Sequence, residues 1–182
     1  MQMRLDLQKM LYFTHPAAFI MALSKTGECQ RFGFKGESEF LNYDSDGCQV
    51  GQNRFLQVLY DKQIFRILKI DPTQKCLSIE RYGQLPICCD IRHGLTNFRN
   101  KFVFLNLGRV YYRYSLTEHK WEELPRIPSE NHLSACSLGD KVYVLDLEKR
   151  AINVLHNPDA PVSSKEMHWQ EIGVPGDVPI PR

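Results

Sequence analysis

Histidine and cysteine are the residue types in this 182-residue sequence that could most readily hold a metal or act as nucleophiles. The histidines (His15, His93, His119, His132, His156 and His168) show neither H-x-x-H nor H-E-x-x-H spacing, the spacings that set two imidazoles on one face of an element. The cysteines (Cys29, Cys48, Cys76, Cys88, Cys89 and Cys136) contain no C-x-x-C pair, so no zinc set is read from them. No G-x-S-x-G, Walker-type or dinucleotide glycine pattern singles out a serine or a phosphate cradle. No catalytic residue, metal ligand or cofactor is assigned, and a chain that is not an enzyme is expected. Two polar clusters remain, Asp90-Ile91-Arg92-His93 and Glu130-Asn131-His132. Their carboxylates, guanidinium and imidazoles are groups suited to recognising a protein partner.

The elements that position these clusters are short strands. Val110 to Leu147 reads as a series of them: an aromatic run from Val110 to Leu116, a second from Trp121 to Leu124, and a pair of runs around Gly139-Asp140. Pro125 and Pro128 stop the second, because proline cannot donate to a ladder. No helical period is present.

The pattern repeats. Hairpins at 18–32, 64–79, 110–124 and 151–171 open their second strands at Cys29, Cys76, Trp121 and Trp169, which are 47, 45 and 48 residues apart by subtraction. A second series, Phe55-Leu56-Gln57-Val58-Leu59-Tyr60, Phe102-Val103-Phe104-Leu105-Asn106-Leu107 and Val142-Tyr143-Val144-Leu145-Asp146-Leu147, starts 47 and 40 residues apart. Each run of that series is apolar on both faces, as a strand between neighbouring sheets must be. A period in the forties with about four strands per unit and no helix matches a propeller blade. The competing architecture is a single β-sandwich.

The balance of 23 basic and 21 acidic residues gives no electrostatic case for nucleic acid or an anionic membrane. No apolar run is long enough to span a bilayer. The run from Leu11 to Leu23, broken by His15-Pro16, reads as a buried strand rather than a secretory signal. Cys29, Cys76 and Cys136 fall in apparent strands, where cysteine acts as a small buried hydrophobe. Reduced thiols favour a reducing compartment, and a cytoplasmic location is expected. Trp121 and Trp169 are expected in the core, and Tyr111, Tyr112 and Tyr114 in packing contacts.

The units resemble Kelch repeats. Tyr112 and Tyr114 precede Trp121-Glu122-Glu123-Leu124-Pro125, followed by Ser134-Ala135-Cys136 and then Val142-Tyr143-Val144. The order is that of the family: aromatic, tryptophan, proline-rich corner, small-residue strand, hydrophobic strand. The resemblance implies an all-β protein of Kelch-like β-propeller blades, each a four-stranded antiparallel sheet, with about three to four blades in an open or partial propeller. It implies one repeat domain over 1–182, in units 14–60, 61–107, 108–147 and an incomplete 148–182. It also implies a protein-interaction module or scaffold. The partner would meet the corner loops through Asp90, Arg92, His93, Glu130, Asn131 and His132. The end blades offer a further surface for self-association. The alternative in the same family is a fragment of a sugar-acting, galactose-oxidase-like enzyme.

Overall fold

A computed structural model describes residues 11–15, 19–23, 29–34, 45–87, 92–107, 110–127, 134–146 and 149–173. The strands are β1 (Leu11–His15), β2 (Phe19–Leu23), β3 (Cys29–Phe34), β4 (Ser45–Gly51), β5 (Arg54–Leu59), β6 (Ile64–Asp71), β7 (Cys76–Gln84), β8 (Arg92–Phe98), β9 (Phe102–Leu107), β10 (Val110–Ser115), β11 (Trp121–Glu123), β12 (Ser134–Leu138), β13 (Lys141–Asp146), β14 (Ala151–His156) and β15 (His168–Gly173). One 3-10 turn, Tyr60–Lys62, joins β5 to β6. The chain is an all-β protein. Among the described residues no helix is long and apolar enough to cross a membrane.

The chain divides into two compact units, Met1–Cys88 and Cys89–Arg182. In the first, seven strands form one sheet in the order β1-β2-β3-β7-β6-β5-β4. Its β4–β7 part is a four-stranded antiparallel meander. The β1–β3 part joins it through a short parallel pairing of Gly33 with Cys76 and Phe34 with Leu77. The sheet curls, bringing β1 back beside β4. Phe55, Leu56, Val58, Phe65, Ile67 and Leu68 are all buried. Successive side chains of a strand point to opposite faces, so β5 and β6 are covered on both.

Close packing in this unit depends on missing side chains. A Cβ on Gly83 would fall on the Phe65 ring, and one on Gly47 would fall on the Phe55 ring. An aromatic ring lying across a strand glycine covers its bare backbone.

The second unit holds two four-stranded antiparallel sheets, in the orders β11-β10-β9-β8 and β12-β13-β14-β15. They pack through Phe98, Phe104, Tyr111 and Leu124 on one side and Val142, Val144 and Leu155 on the other, with Met167 and Ile127 closing the cluster. The hydroxyl of Ser137 donates to the Asn97 carbonyl between β12 and β8. Tight turns join the strands. Arg99 and Asn100 both have positive φ, 52° and 54°, and Lys101 N–H donates to the Phe98 carbonyl at 3.0 Å. This is the type I′ geometry that matches strand twist.

Each sheet spans the end of one sequence repeat and the start of the next. Units cut at 61 and 108 therefore contribute two strands to one sheet and two to its successor. Trp121 and Trp169 are half-buried rather than core residues. Cys29 and Cys136 are exposed rather than buried, and the reason is their place on strands that lack cover on one face.

Candidate functional site

The meander order sorts the loops onto two ends of each sheet. In the second unit, one end carries the turns after β8 and β10 and the β14–β15 loop. At the opposite end β9 finishes and β8, β10 and β12 begin. A recess among the described residues lies at the first of these ends.

It is built around Arg113. Five of the six residues of β10 are buried aromatic or polar side chains, and Arg113 sits among them with 3% of its surface exposed. Register places Glu122 of β11 directly opposite. Arg113 Nε and Nη2 donate to Glu122 Oε2 at 3.0 and 2.6 Å. Its Nη1 donates to the carbonyls of Pro158 and Ala160 at 2.6 and 2.8 Å. The guanidinium lies 4.4 Å from the Phe102 ring centroid. A planar five-donor fork can serve a carboxylate, two carbonyls and an aromatic face together, which an ammonium cannot. Arg113 therefore clamps the 157–165 loop against the sheet.

Above this floor is a cleft of about 490 Å³, lined by Lys101, Phe102, Arg113, Ser115, Thr117, Glu118, Glu122, Asp159 and Pro161. Asp159 receives Arg99 Nη1 at 3.2 Å and Lys101 Nζ at 3.5 Å. Ser115 Oγ accepts from Glu118 N–H at 3.0 Å, shaping the turn. His119 of that turn lies beside Tyr114, Nδ1 to hydroxyl 3.2 Å. The lining holds two cations, Lys101 and Arg113, and three carboxylates, Glu118, Glu122 and Asp159, a net of one negative charge. Arg113, Lys101, Glu122 and Asp159 are paired with one another or with Arg99, and among the described residues no ion pair is formed by the Glu118 carboxylate.

A wall of this sheet is aromatic. Tyr111 packs on Trp169 with centroids 5.6 Å apart, and Trp169 Nε1 donates to the Pro125 carbonyl at 2.9 Å. Burial pushes the Tyr111 phenol well above the ordinary tyrosine range, and burial with the nearby Asp46 does the same for the Cys48 thiol. Both groups stay neutral at physiological pH. Among the described residues no three His, Cys, Asp or Glu side chains are grouped to share a metal ion.

Of the residues expected at the partner site, Asp90, Glu130, Asn131 and His132 lie outside the described residues. Arg92 and His93 do not sit on a loop: they open strand β8, paired with Leu107 and Asn106 of β9. That is the end of the sheet opposite the cleft. The cleft itself was missed in sequence. Its one signal is an arginine in the middle of an otherwise aromatic strand, nine residues before a glutamate.

No known protein family matches the sequence, and no curated protein is similar to it in sequence. Solved structures do resemble the fold. Virginiamycin B lyase from Staphylococcus aureus matches with 12% identity and a TM-score of 0.59, over 92% of this chain and 53% of the lyase. A chain of the nidogen–laminin complex matches with 10% identity and a TM-score of 0.55, over 90% of this chain and 63% of that one. PorZ of Porphyromonas gingivalis matches with 12% identity and a TM-score of 0.51, over 88% and 20%. The chain spans about half the length of the lyase.

These likenesses define a β-propeller-like protein, with the four-stranded antiparallel sheets expected of one. They also correct one expectation. A chain that is not an enzyme was expected because no catalytic motif was found, yet the fold is shared with a lyase. It is thus a fold on which catalysis occurs, and missing motifs give no ground for excluding it. At 12% identity the likeness shows the fold alone.

Proposed function

We propose that the chain is a Kelch-type binding domain that takes a protein partner on the end of its sheets holding the Arg113 cleft. A basic side chain of the partner would enter beside Glu118. The observation carrying this reading is the cleft's charge: a net negative lining in which, among the described residues, Glu118 makes no ion pair while the neighbouring charges are matched. Loops held on a rigid sheet are where binding residues concentrate. The Kelch assignment draws its support from the place of Tyr112 and Tyr114 on β10 with Trp121 opening β11. A scaffold role in the reducing cytoplasm belongs to the same reading. The corner residues Asp90, Arg92, His93, Glu130, Asn131 and His132 define the alternative end for the same partner.

Peptides rich in arginine and lysine, titrated calorimetrically at low salt, test the cleft. Glu118→Lys should weaken binding at least about tenfold, since a like charge in place of a complementary one costs well over 1 kcal/mol. Arg92→Ala and His93→Ala should leave it unchanged. Loss of binding in the second pair alone moves the partner to the corner loops and sinks the cleft. No binding by the parent protein sinks it as well.

A further inference from the structure

Strands β14 and β15 carry a pair of histidines that the Arg113 cleft does not use. The ladder sets His156, which ends β14, directly opposite His168, which opens β15. Side chains directly opposite in an antiparallel pair leave the sheet on the same face. The two imidazoles are stacked, with centroids 5.0 Å apart and planes 5° from parallel. Each ring has one nitrogen engaged by an acceptor. His156 Nε2–H donates to Gln170 Oε1 at 2.8 Å. His168 Nδ1–H donates to the Glu166 carbonyl at 3.1 Å, which also accepts from Asn157 Nδ2 at 3.2 Å. A neutral imidazole protonated on one nitrogen keeps a lone pair on the other. The lone pairs therefore lie on His156 Nδ1 and His168 Nε2.

We propose that His156 and His168 form a two-histidine site for a divalent transition-metal ion of the zinc class. A metal-binding histidine characteristically gives its other ring N–H to an acceptor, which fixes the tautomer and raises the ligand's basicity. Both rings here are held in that way. Neutral imidazole nitrogen suits zinc, copper and nickel, whereas calcium and magnesium take oxygen. Two imidazole nitrogens on one tetrahedral ion stand about 3.3 Å apart. Rings centred 5.0 Å apart reach that separation by turning about χ2, a torsion with broad minima. Water completes the shell, because among the described residues no third His, Cys, Asp or Glu joins the pair. The two histidines flank the base of the 157–165 loop, whose carbonyls at Pro158 and Ala160 Arg113 holds. An ion bound there would tie the loop at its base as the arginine ties it further out. The site does not depend on what enters the cleft.

Zinc chloride titrated into the isotope-labelled chain, followed by nitrogen NMR of the imidazoles, tests the proposal. His156 Nδ1 and His168 Nε2 should shift and saturate together, while the other nitrogen of each ring keeps its proton. His168→Ala, at an exposed position, should weaken zinc binding at His156 at least about tenfold, because one of two linked attachments is lost. His156→Ala should do the same at His168. Acidification should release the ion, since both nitrogens must be unprotonated to bind it. Following the rings themselves separates this site from zinc taken up by the exposed thiols of Cys29 and Cys136. Ring nitrogens unmoved by zinc overturn the proposal. So do rings that titrate independently, each indifferent to loss of the other.

Discussion

At the residue scale, this chain relies on a few positions where one atom more or less decides packing. Gly83 and Gly47 are the clearest, because buried phenylalanine rings occupy the space a Cβ would need. Gly83→Ala must push the Phe65 ring aside in a core that has no slack, and should cost about 1–3 kcal/mol. Gly173→Ala meets nothing within 4 Å and should change stability by less than about 0.5 kcal/mol. Denaturant midpoints of the two variants check this; equal midpoints would deny the ring-over-glycine contact. Arg113 shows the same dependence in polar form. Its partners lie nine, 45 and 47 residues away, and only the first lies within the same hairpin. The local sequence displayed the arginine and the glutamate opposite it, but not the loop carbonyls that complete the site.

At the element scale, the legible strands were those whose side chains are apolar on both faces. β5, β9 and β13 were readable for that reason, as were the hairpins β6–β7, β10–β11 and β14–β15. Strands β4 and β8 were not. Their sequences, Ser45-Asp46-Gly47-Cys48-Gln49-Val50-Gly51 and Arg92-His93-Gly94-Leu95-Thr96-Asn97-Phe98, carry no clean alternation. They pack where neighbours come close: Gly94 leaves room for the Tyr111 hydroxyl and Ala135. Small and polar residues at such positions read as loop, and Arg92 and His93 read as a corner for that reason. Trp121 reads as core by its size, yet it opens a three-residue edge strand, β11, and is half-buried there. Turns add a test at this scale. Asn100 is held at φ 54°, a region asparagine tolerates and β-branched residues do not. Asn100→Val should cost about 1–2 kcal/mol, while Asn100→Gly should be neutral or stabilising. Thermal melts of the pair would show it, and a valine variant as stable as the parent would rule the turn type out.

At the scale of the whole molecule, the period of the sequence was visible and its phase was not. Hydrophobic spacing marks where strands recur, but gives no sign of which neighbour each one bonds to. Burial therefore differs between strands that look alike in sequence. β9 and β10 are covered on both faces, whereas β12 and β15 are largely exposed. Native-state hydrogen exchange should reflect this, since opening free energy follows burial. Amides of Val103 to Leu105 should exchange slowest, and those of the edge strand β15 at least about 100-fold faster, a difference of some 3 kcal/mol. Uniform protection across the two strands would contradict that ordering.

The parallel pairing of β3 with β7 has a kinetic consequence. The β4–β7 meander closes through turns of a few residues, so its contacts form early and at little entropic cost. The β3–β7 ladder joins Gly33 to Cys76 and Phe34 to Leu77, across 43 residues of chain, with two residue pairs to hold it. Closing so long a segment for so short a ladder is rewarded only once the β4–β7 meander already stands. In the order of events the seven-stranded sheet is thus assembled from its two parts, and this seam is the last to knit and the first to part.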